Sequence, residues 1–594
     1  MPASRLKRIT YRLRQSLLED GFSQTYLRVR RKLRSRFGAK AFKKAWKISK
    51  QERKHQAERV FQDGVLISIL VPLYNTPLYL LNEMLDSVQT QSCRQFELCL
   101  ADGSDESHNE VGEAVKLRAE TDARIRYQKL IKNEGISGNT NACIAMAKGT
   151  HFLLLDHDDL LHPSAVYEVM SVIDETGADL IYTDEATFRK HPRDAYLPHF
   201  KQDFSPDTLR AHNYICHITA FSRELLGEAG AFRNAFDGSQ DFDLVLRLSE
   251  KAKKIVHIPR ILYYWRNHQA SVASDVSAKP YVVEAAKAAI RDHLQRVGLE
   301  GTVTDTLLPS IYRIQYKVQE EALVSILIPT CDHADDLKRC VDSILRLTDY
   351  ANYEILLIEN NSREAATFAY YETLKNERRV KLLTWPHGFN YSAINNFGAS
   401  NANGKYLLLL NNDTEVISPG WIREMLMFAQ RGDVGAVGAK LYYPNGTVQH
   451  AGIGLGLLTL AGHFHKGFPR NSLGYMGRLQ YQQNVSAVTG ACLMIKAEMY
   501  RAVGGMEEKL AVNFNDVDLC LRLREKGLLN VFTPFAELYH YESLSRGLDV
   551  APEKRKRYLQ EEAFFRGRWA KQLQAGDPYL GPNFDLLRED FSFR

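Results

Sequence analysis

An apolar run of strand length that closes on acidic or amide side chains occurs twice along the chain. The copies are His151-Phe-Leu-Leu-Leu-Asp-His-Asp-Asp-Leu160 and Tyr406-Leu-Leu-Leu-Leu-Asn-Asn-Asp-Thr-Glu415. A continuous apolar run without alternation predicts a parallel strand buried on both faces. Polar residues at its end then lie at the carboxyl edge of the sheet, where open α/β folds bind ligands. The surrounding pattern repeats as well. Ile67-Ser-Ile-Leu-Val-Pro-Leu-Tyr-Asn75 returns as Val324-Ser-Ile-Leu-Ile-Pro-Thr-Cys-Asp332, each followed by helical periodicity. Phe96-Glu-Leu-Cys-Leu-Ala-Asp-Gly-Ser104 returns as Tyr353-Glu-Ile-Leu-Leu-Ile-Glu-Asn-Asn-Ser362. The Gly/Asn-rich turns Asn133 to Asn141 and Gly388 to Asn396 each lead into a helix. Further on, Asp241-Phe-Asp-Leu-Val-Leu-Arg247 matches Asp516-Val-Asp-Leu-Cys-Leu-Arg522.

The copies are offset by 257 residues at Pro72/Pro329, 255 at Asp158/Asp413 and 275 at Asp241/Asp516, so the second carries an insertion of about twenty residues. So long a period means two complete domains. Strands alternating with helices predict a doubly wound, mostly parallel α/β sheet in each. The expected division is a basic helical extension over 1–62, a first domain over 63–310, and a second over 311–594 that ends in a helical tail.

The strand-edge residues of the first copy are Asp102, Asp156, Asp158, Asp159, Asp241 and His268. Carboxylates with an imidazole make a mixed O/N set for a divalent cation, Mn2+ or Mg2+, and the histidine leans towards Mn2+. Arg266 or the amides of the Asn133 turn would face phosphate. Asp241 opens a helix whose Leu244 and Leu248 have core spacing. There it is either an N-cap or a carboxylate able to take a proton from an attacking hydroxyl. The plain alternative for the acidic strand end is a turn that caps a helix.

The ordered set Val-Pro-Leu-Tyr-Asn, Ala-Asp-Gly-Ser-Asp, Leu-Leu-Asp-His-Asp-Asp, Gly-Ser-Gln-Asp-Phe-Asp-Leu and Tyr263-Tyr-Trp-Arg-Asn-His268 closely resembles family 2 glycosyltransferases of the GT-A fold. The second copy resembles the branch with Phe-Asn-Tyr-Ser, Leu-Asn-Asn-Asp-Thr-Glu and His540-Tyr-Glu-Ser-Leu-Ser-Arg-Gly547. Tandem proteins of this look are typical of bacterial O-antigen, rhamnan and capsule synthesis. The resemblance spans roughly residues 64 to 570 and implies inverting, metal-dependent transfer from a nucleotide sugar to a growing glycan. It implies donor contacts at Pro72, Tyr74, Asp102 (nucleoside), Asn133, Asp156 (ribose) and Arg266. The metal falls to Asp158 and His268, and Asp241 is the base. In the second copy the implied donor residues are Pro329, Glu359, Asn360, Asn411 and Arg546, the metal ligands Asp413 and His540, and the base Asp516. Asn411-Asn-Asp413 has lost one carboxylate of the pair. Two active sites are therefore weighed against one catalytic domain joined to a glycan- or nucleotide-binding scaffold. A nucleotidyltransferase would need a Gly-rich triphosphate loop, which Val71 to Asn75 does not offer.

Charge adds a further expectation. Residues 1 to 60 carry 19 Lys/Arg against 4 Asp/Glu, a net +15 in a chain of net +6, which leaves −9 for the rest. Interleaved Tyr26, Leu27, Val29, Leu33, Phe37, Phe42, Trp46 and Ile48 fit an amphipathic helix on an anionic membrane surface, with packing on the body or a partner as the rival. Nucleic acid is the weaker alternative, because the body is acidic and shows no nucleic-acid module. No apolar run reaches the length of a membrane span and no signal peptide is visible. A cytoplasmic protein at the inner face of the membrane is expected, meeting a lipid-linked or polysaccharide acceptor and other glycan-assembly or export proteins. The eight cysteines lack Cys-x-x-Cys spacing and read as buried thiols. Lys201 to Asp207 and the insertion around Ala451 to Tyr475 are expected either on the acceptor side or as surface loops, and Asp184-Glu185 either at the acceptor sugar or as an ordinary strand-end turn.

Overall fold

The computed structural model describes residues 46–62, 64–267, 280–542 and 552–594. In the first half, apolar runs become β1 (Ile67–Leu73), β2 (Phe96–Asp102), β3 (Ile125–Lys129) and β4 (His151–Leu154). They are followed by β5 (Leu160–Leu161), β6 (Leu180–Phe188), β7 (Leu197–His199), β8 (Thr219–Ser222) and β9 (Ile255–Arg266). Strand order is β3-β2-β1-β4-β8-β6-β9-β5, with β7 paired to β6. Neighbours pair in parallel except where β8 meets β4 and β6, where β5 meets β9, and where β7 meets β6. Every residue of β1 and β2 is buried, as expected for strands covered on both faces.

A two-stranded hairpin, β10 (Gly301–Asp305) with β11 (Tyr312–Tyr316), straddles the expected division at 310/311. The second half then builds β12 (Val324–Thr330), β13 (Tyr353–Glu359), β14 (Val380–Thr384), β15 (Tyr406–Leu410), β16 (Thr414–Val416) and β17 (Val434–Tyr442). Next come β18 (Val448–His450), β19 (Ile453–Leu455), β20 (Ala461–His463), β21 (Gln483–Val485), β22 (Cys492–Lys496) and β23 (Leu529–His540). The order β14-β13-β12-β15-β22-β17-β23-β16 reproduces the first sheet strand for strand.

Even a polar detail is duplicated. Ser68 Oγ donates to Glu97 at 2.6 Å and accepts from the Gly149 amide at 2.9 Å. Ser325, Glu354 and Gly404 repeat the arrangement at 2.6 and 2.8 Å. These latches satisfy a hydroxyl that would otherwise be stranded in a buried strand. A Cβ on Gly149 would lie 2.4 Å from Ser68 Oγ, so only glycine lets the chains come this close.

The segment Lys201–Asp207, with acceptor contact as one expectation, is instead part of the seam between the halves. Asp207 accepts hydrogen bonds from Arg431 and, at 2.7 Å, from Asn484; Ser205 donates to Asn484 at 2.9 Å. Tyr475, from the insertion, accepts from the Phe200 amide at 2.8 Å. Beyond the helices Pro552–Arg568 and Ala570–Ala575, the chain returns to this seam. There Asn583 donates to Asp184 at 2.9 Å, and Phe584 and Phe593 pack on Phe200. Asp184 is fully buried with His257 at 2.9 Å, and Glu185 is buried beside Lys201, so neither offers a carboxylate to an acceptor at the surface.

Of the basic extension, residues 46–62 are described, and they pack on the first half. Ser92 donates to Gln56 of the helix Lys50–Glu58 at 2.6 Å, and Trp46 meets Tyr264 edge-on at 4.8 Å. The residues expected to meet a membrane lie largely outside the described part. Among the described residues, no helix is long and apolar enough to cross a membrane.

Candidate active sites

Parallel pairing brings the ends of β1, β2 and β4 to one edge of the first sheet. Because β8 runs the other way, the residues before it reach the same edge, as does the start of the helix Gln240–Lys251. Pro72, Asp156, His217 and Asp241 consequently line one cleft. In the second half Pro329, Asn360, Asn411 and Asp413 line the equivalent cleft. The second cleft is the larger, at about 490 Å³ against 70 Å³.

The repeated Asp-x-Asp-Leu-x-Leu-Arg frame separates into two roles. Residues two apart on a helix face nearly opposite ways. Asp243 is fully buried and paired with Arg247 at 2.8 Å, as Asp518 is with Arg522 at 2.8 Å. Arg247 also donates to the carbonyls of Ala229 and Gly230, both at 2.6 Å. The second aspartate and the arginine are thus structural. Asp241 faces the cleft and accepts from Asn213 at 2.9 Å. Its counterpart Asp516 accepts from the Gly490 amide at 2.9 Å. Burial raises both carboxyls above the ordinary range. That direction suits a carboxylate that must accept a proton.

The strand end of the second half fixes the ring of His540. Gln449 Nε2 donates to Glu542 at 3.0 Å, which turns its carbonyl oxygen towards His540 Nδ1 at 2.7 Å. Nδ1 therefore donates to Gln449, and Nε2 lies 3.1 Å from both Asn411 Nδ2 and Asp413 Oδ1. A carboxylate oxygen beside one imidazole nitrogen, with the other ring nitrogen oriented by a hydrogen bond, is a donor set that fits a divalent cation.

The first half differs. Asp159 is buried and accepts from Tyr263 and from the Arg266 amide, both at 2.6 Å. Burial, together with Asp158 and Asp156, raises its carboxyl well above the ordinary range. His217 stacks on Tyr263 at 4.5 Å, with Nε2 3.6 Å from Asp156 and Nδ1 3.3 Å from Glu185. Burial lowers its pKa, but Asp156, Cys216 and Glu185 outweigh it and raise it well above the ordinary range. Asp156, Asp159 and His217 form one cluster of metal-ligand type; Glu185, Cys216 and His217 form another. Asp158, the expected ligand, gives its carbonyl to Arg266 Nε at 2.7 Å. His268 and Arg546 lie outside the described residues.

Register also revises one pairing. His540 is opposite Thr414 in the β16–β23 ladder, whereas Leu160 is opposite Tyr264 in β5–β9. With Leu160 corresponding to Glu415, the strand position of His540 is held in the first half by Trp265, not by His268. The same bookkeeping through Leu153/Ala220 and Leu408/Met494 puts Ala491 where the first half has His217. His217 escaped the sequence reading. Its signal was a Cys-His pair directly before the apolar run Ile218–Phe221.

Other expected donor contacts take defined places. Asp102 is fully buried and accepts from the Ser104 amide and Tyr127 at 2.8 Å and from Lys129 at 3.1 Å. Burial pushes its carboxyl up, and these hydrogen bonds more than reverse that. Glu359 accepts from the Ser362 amide at 2.5 Å, and Asn360 donates to the His387 carbonyl at 2.8 Å. Asn133 accepts from the Gly135 amide at 3.1 Å and so shapes its turn. Tyr74 is exposed. Arg266 does not face the cleft as a phosphate partner would: it is buried, bonded to Glu83 at 2.5 Å and laid over Phe188. It braces the acidic strand end. Of the cysteines, two depart from the expected burial: Cys216 is half-buried and lines the first cleft, and Cys331 is exposed and lines the second.

Comparison with known proteins yields a family model and close relatives. The model "Glycosyl transferase family 2" matches residues 68–230 and again 325–504. "Uncharacterized protein y4gI" of Sinorhizobium fredii is 44% identical over 90% of this chain and 59% of its own. "O-antigen biosynthesis protein RfbC" of Myxococcus xanthus is 38% identical over 89% of this chain and 41% of its own. The chain thus spans less than two thirds of these relatives. Among solved structures, the mannosyltransferase PcManGT of Pyrobaculum calidifontis with GDP-Man and Mn2+ aligns at 15% identity, covering 43% of this chain and 66% of its own with a TM-score of 0.32.

Proposed function

This chain belongs to glycosyl transferase family 2, and from that premise we propose that each half transfers a sugar from a nucleotide-sugar donor to a growing cell-surface polysaccharide. The observation that carries the proposal is the pair Asp241 and Asp516, matched carboxyls at the same sheet edge, both raised by burial. Each takes the proton of the acceptor hydroxyl as that oxygen attacks the sugar carbon and the nucleoside diphosphate leaves. One displacement inverts the anomeric centre. Asp413 and His540 would hold a divalent cation in the second half, and Asp158 in the first; when bound, it stabilises charge on the leaving diphosphate. Pro72 in the first cleft, and Pro329 and Asn360 in the second, would border the donor, with Tyr74 and Asn133 as further contacts of the first half. The RfbC relative supports an O-antigen-type glycan as product. A lipid-linked or polysaccharide acceptor at the cytoplasmic face of the membrane is part of the same proposal, and the net +15 of residues 1–60 supports an anionic membrane surface as their partner.

The test is nucleoside diphosphate release from a panel of nucleotide sugars with Mn2+ and a lipid-linked acceptor, on wild type, D241N and D516N. Loss of about 10²–10⁴-fold in a separate linkage for each variant is expected. Unchanged products with D516N would leave the second half as a binding scaffold. Asn411 in place of Asp156 and Thr414 in place of Asp159 favour that second reading.

A further inference from the structure

The carboxylates that open the two matched helices are each tied by one oxygen, and the donors differ. Asp516 Oδ2 accepts from the Gly490 amide, and Asp241 Oδ2 from the side chain of Asn213, both at 2.9 Å. We propose that Asn213 is a positioning residue of the first half, whose side-chain amide links the Cys216 N–H to Asp241 and aims that carboxylate at the acceptor hydroxyl. The inference rests on the reading of Asp241 as the base.

Three observations support it. The first is register. The ladder positions that put Ala491 in the place of His217 also put Gly490 in the place of Cys216. The backbone N–H at this place reaches the base directly in the second half. In the first half it donates to Asn213 Oδ1 at 3.3 Å instead. One backbone donor thus serves both carboxylates, once by contact and once through Asn213.

The second is the direction of the side-chain amide. A backbone N–H can only donate and a carboxylate accepts, so Asn213 satisfies both only with Oδ1 towards Cys216 and Nδ2 towards Asp241. The side chain is held at both ends, and the carboxylate oxygen it grips is held with it. The third is space. A Cβ on Gly490 would lie 3.3 Å from Tyr391 Oη and 3.6 Å from Asp516 Cβ. Tyr391 donates to the Gly490 carbonyl at 2.9 Å, so the bare peptide is clamped between the tyrosine and the base. Cys216 does carry a side chain, which turns to Glu185 at 3.5 Å, and in this half Asn213 spans from backbone to base. Cys216 and Asp241 are among the described residues that line the first cleft, and Asn213 is not, so its loss should alter the base without altering donor binding.

Full-length D516N, in which the first half alone turns over, is compared with D516N carrying N213L, N213D or D241N. Nucleoside diphosphate release is followed against pH and donor concentration, with the same panel of nucleotide sugars, Mn2+ and lipid-linked acceptor. N213L keeps the size of the side chain and removes the donor. N213D keeps the acceptor for the Cys216 N–H and sets a second carboxylate against Asp241. In N213L kcat should fall by about 10–100-fold with the donor KM unchanged. A hydrogen bond donated to a carboxylate favours its charged form, so the acid limb of the kcat profile should move to higher pH in N213L, and further in N213D. His217 and Asp156, the charged groups that face Asp241, are the same in every variant. A kcat and acid limb equal to the parent's in both variants would overturn the proposal, as would a raised donor KM with kcat unchanged. If the parent consumes no donor, or D241N turns over like the parent, the reading of Asp241 as the base fails, and the proposal with it.

Discussion

His540 Nε2 lies 3.1 Å from Asp413 Oδ1, and Gln449 Oε1 orients the ring from its other nitrogen at 2.7 Å. An imidazole nitrogen and a carboxylate oxygen held side by side in a cleft form a pre-oriented pair of ligands. The prediction is that Gln449→Leu, which frees Nδ1 without touching either ligand, weakens Mn2+ binding in the second cleft by about 10–100-fold. Titration with Mn2+ followed by electron paramagnetic resonance checks it. An unchanged affinity would mean that Gln449 plays no part in holding the ring.

Asp241→Asn should make the protein more stable while removing transfer by the first half. Burial raises the Asp241 carboxyl, with the charge on His217 drawing it part of the way back. The folded state therefore holds this proton more tightly than the unfolded chain. The resulting stability is complete below the unfolded value of about 3.9 and is lost as pH rises through the folded one. At neutral pH the ionised group is a net cost. Thermal melts should show D241N above wild type at pH 7.5, with the difference vanishing near pH 4. A pH-independent difference would point elsewhere.

Asp207→Ala should loosen the seam. Burial pushes this carboxyl up, but Arg431 and Arg210 bring it down to about 2. Removing it leaves Arg210 without its carboxylate and Arg431 with Asp433 alone, at a cost of about 3 kcal/mol. In the wild type the linked stability is present above the unfolded value of about 3.9 and lost as pH falls through about 2. Calorimetry should show a lowered midpoint and earlier proteolysis between the halves. A variant with the wild-type midpoint would show that Asn484 and the tail carry the seam alone.

Gly149→Ala should destabilise the first half by about 1–3 kcal/mol, through a methyl forced against Ser68 and the Leu66 carbonyl. Gly404→Ala should do the same in the second. Denaturant unfolding compares them, and a neutral effect in either would mean that the strand can move aside.

The sheets were legible because strands buried on both faces print as apolar runs, and duplication printed them twice. The helix start at Asp241 and Asp516 was legible for the same reason. The frame itself did not separate its two aspartates, since only the folded helix shows which faces the cleft and which meets Arg247 or Arg522. The match of His268 with His540 followed a local motif, whereas ladder register gives Trp265 the position that His540 holds in the second half. Motif spacing cannot reveal such register. His217 was hidden because an antiparallel strand delivers it from a segment with no counterpart motif. Lys201 to Asp207 read as a loop because its partners Arg431, Asn484 and Pro578 are hundreds of residues away, at distances no local pattern records.

The bond from Asn583 to Asp184 joins residues 399 positions apart and lies in the same seam as Asp207 and Arg431. What began as two copies of one unit has become an assembly whose parts no longer interchange. A first half expressed alone would display Phe200 and buried acids to water, and a transplanted second half would carry a tail with no surface to receive it. Contacts of such separation also carry a loop-closure cost that local pairings do not. Engineering of either specificity therefore belongs in the loops of the intact chain, not in the exchange of whole halves.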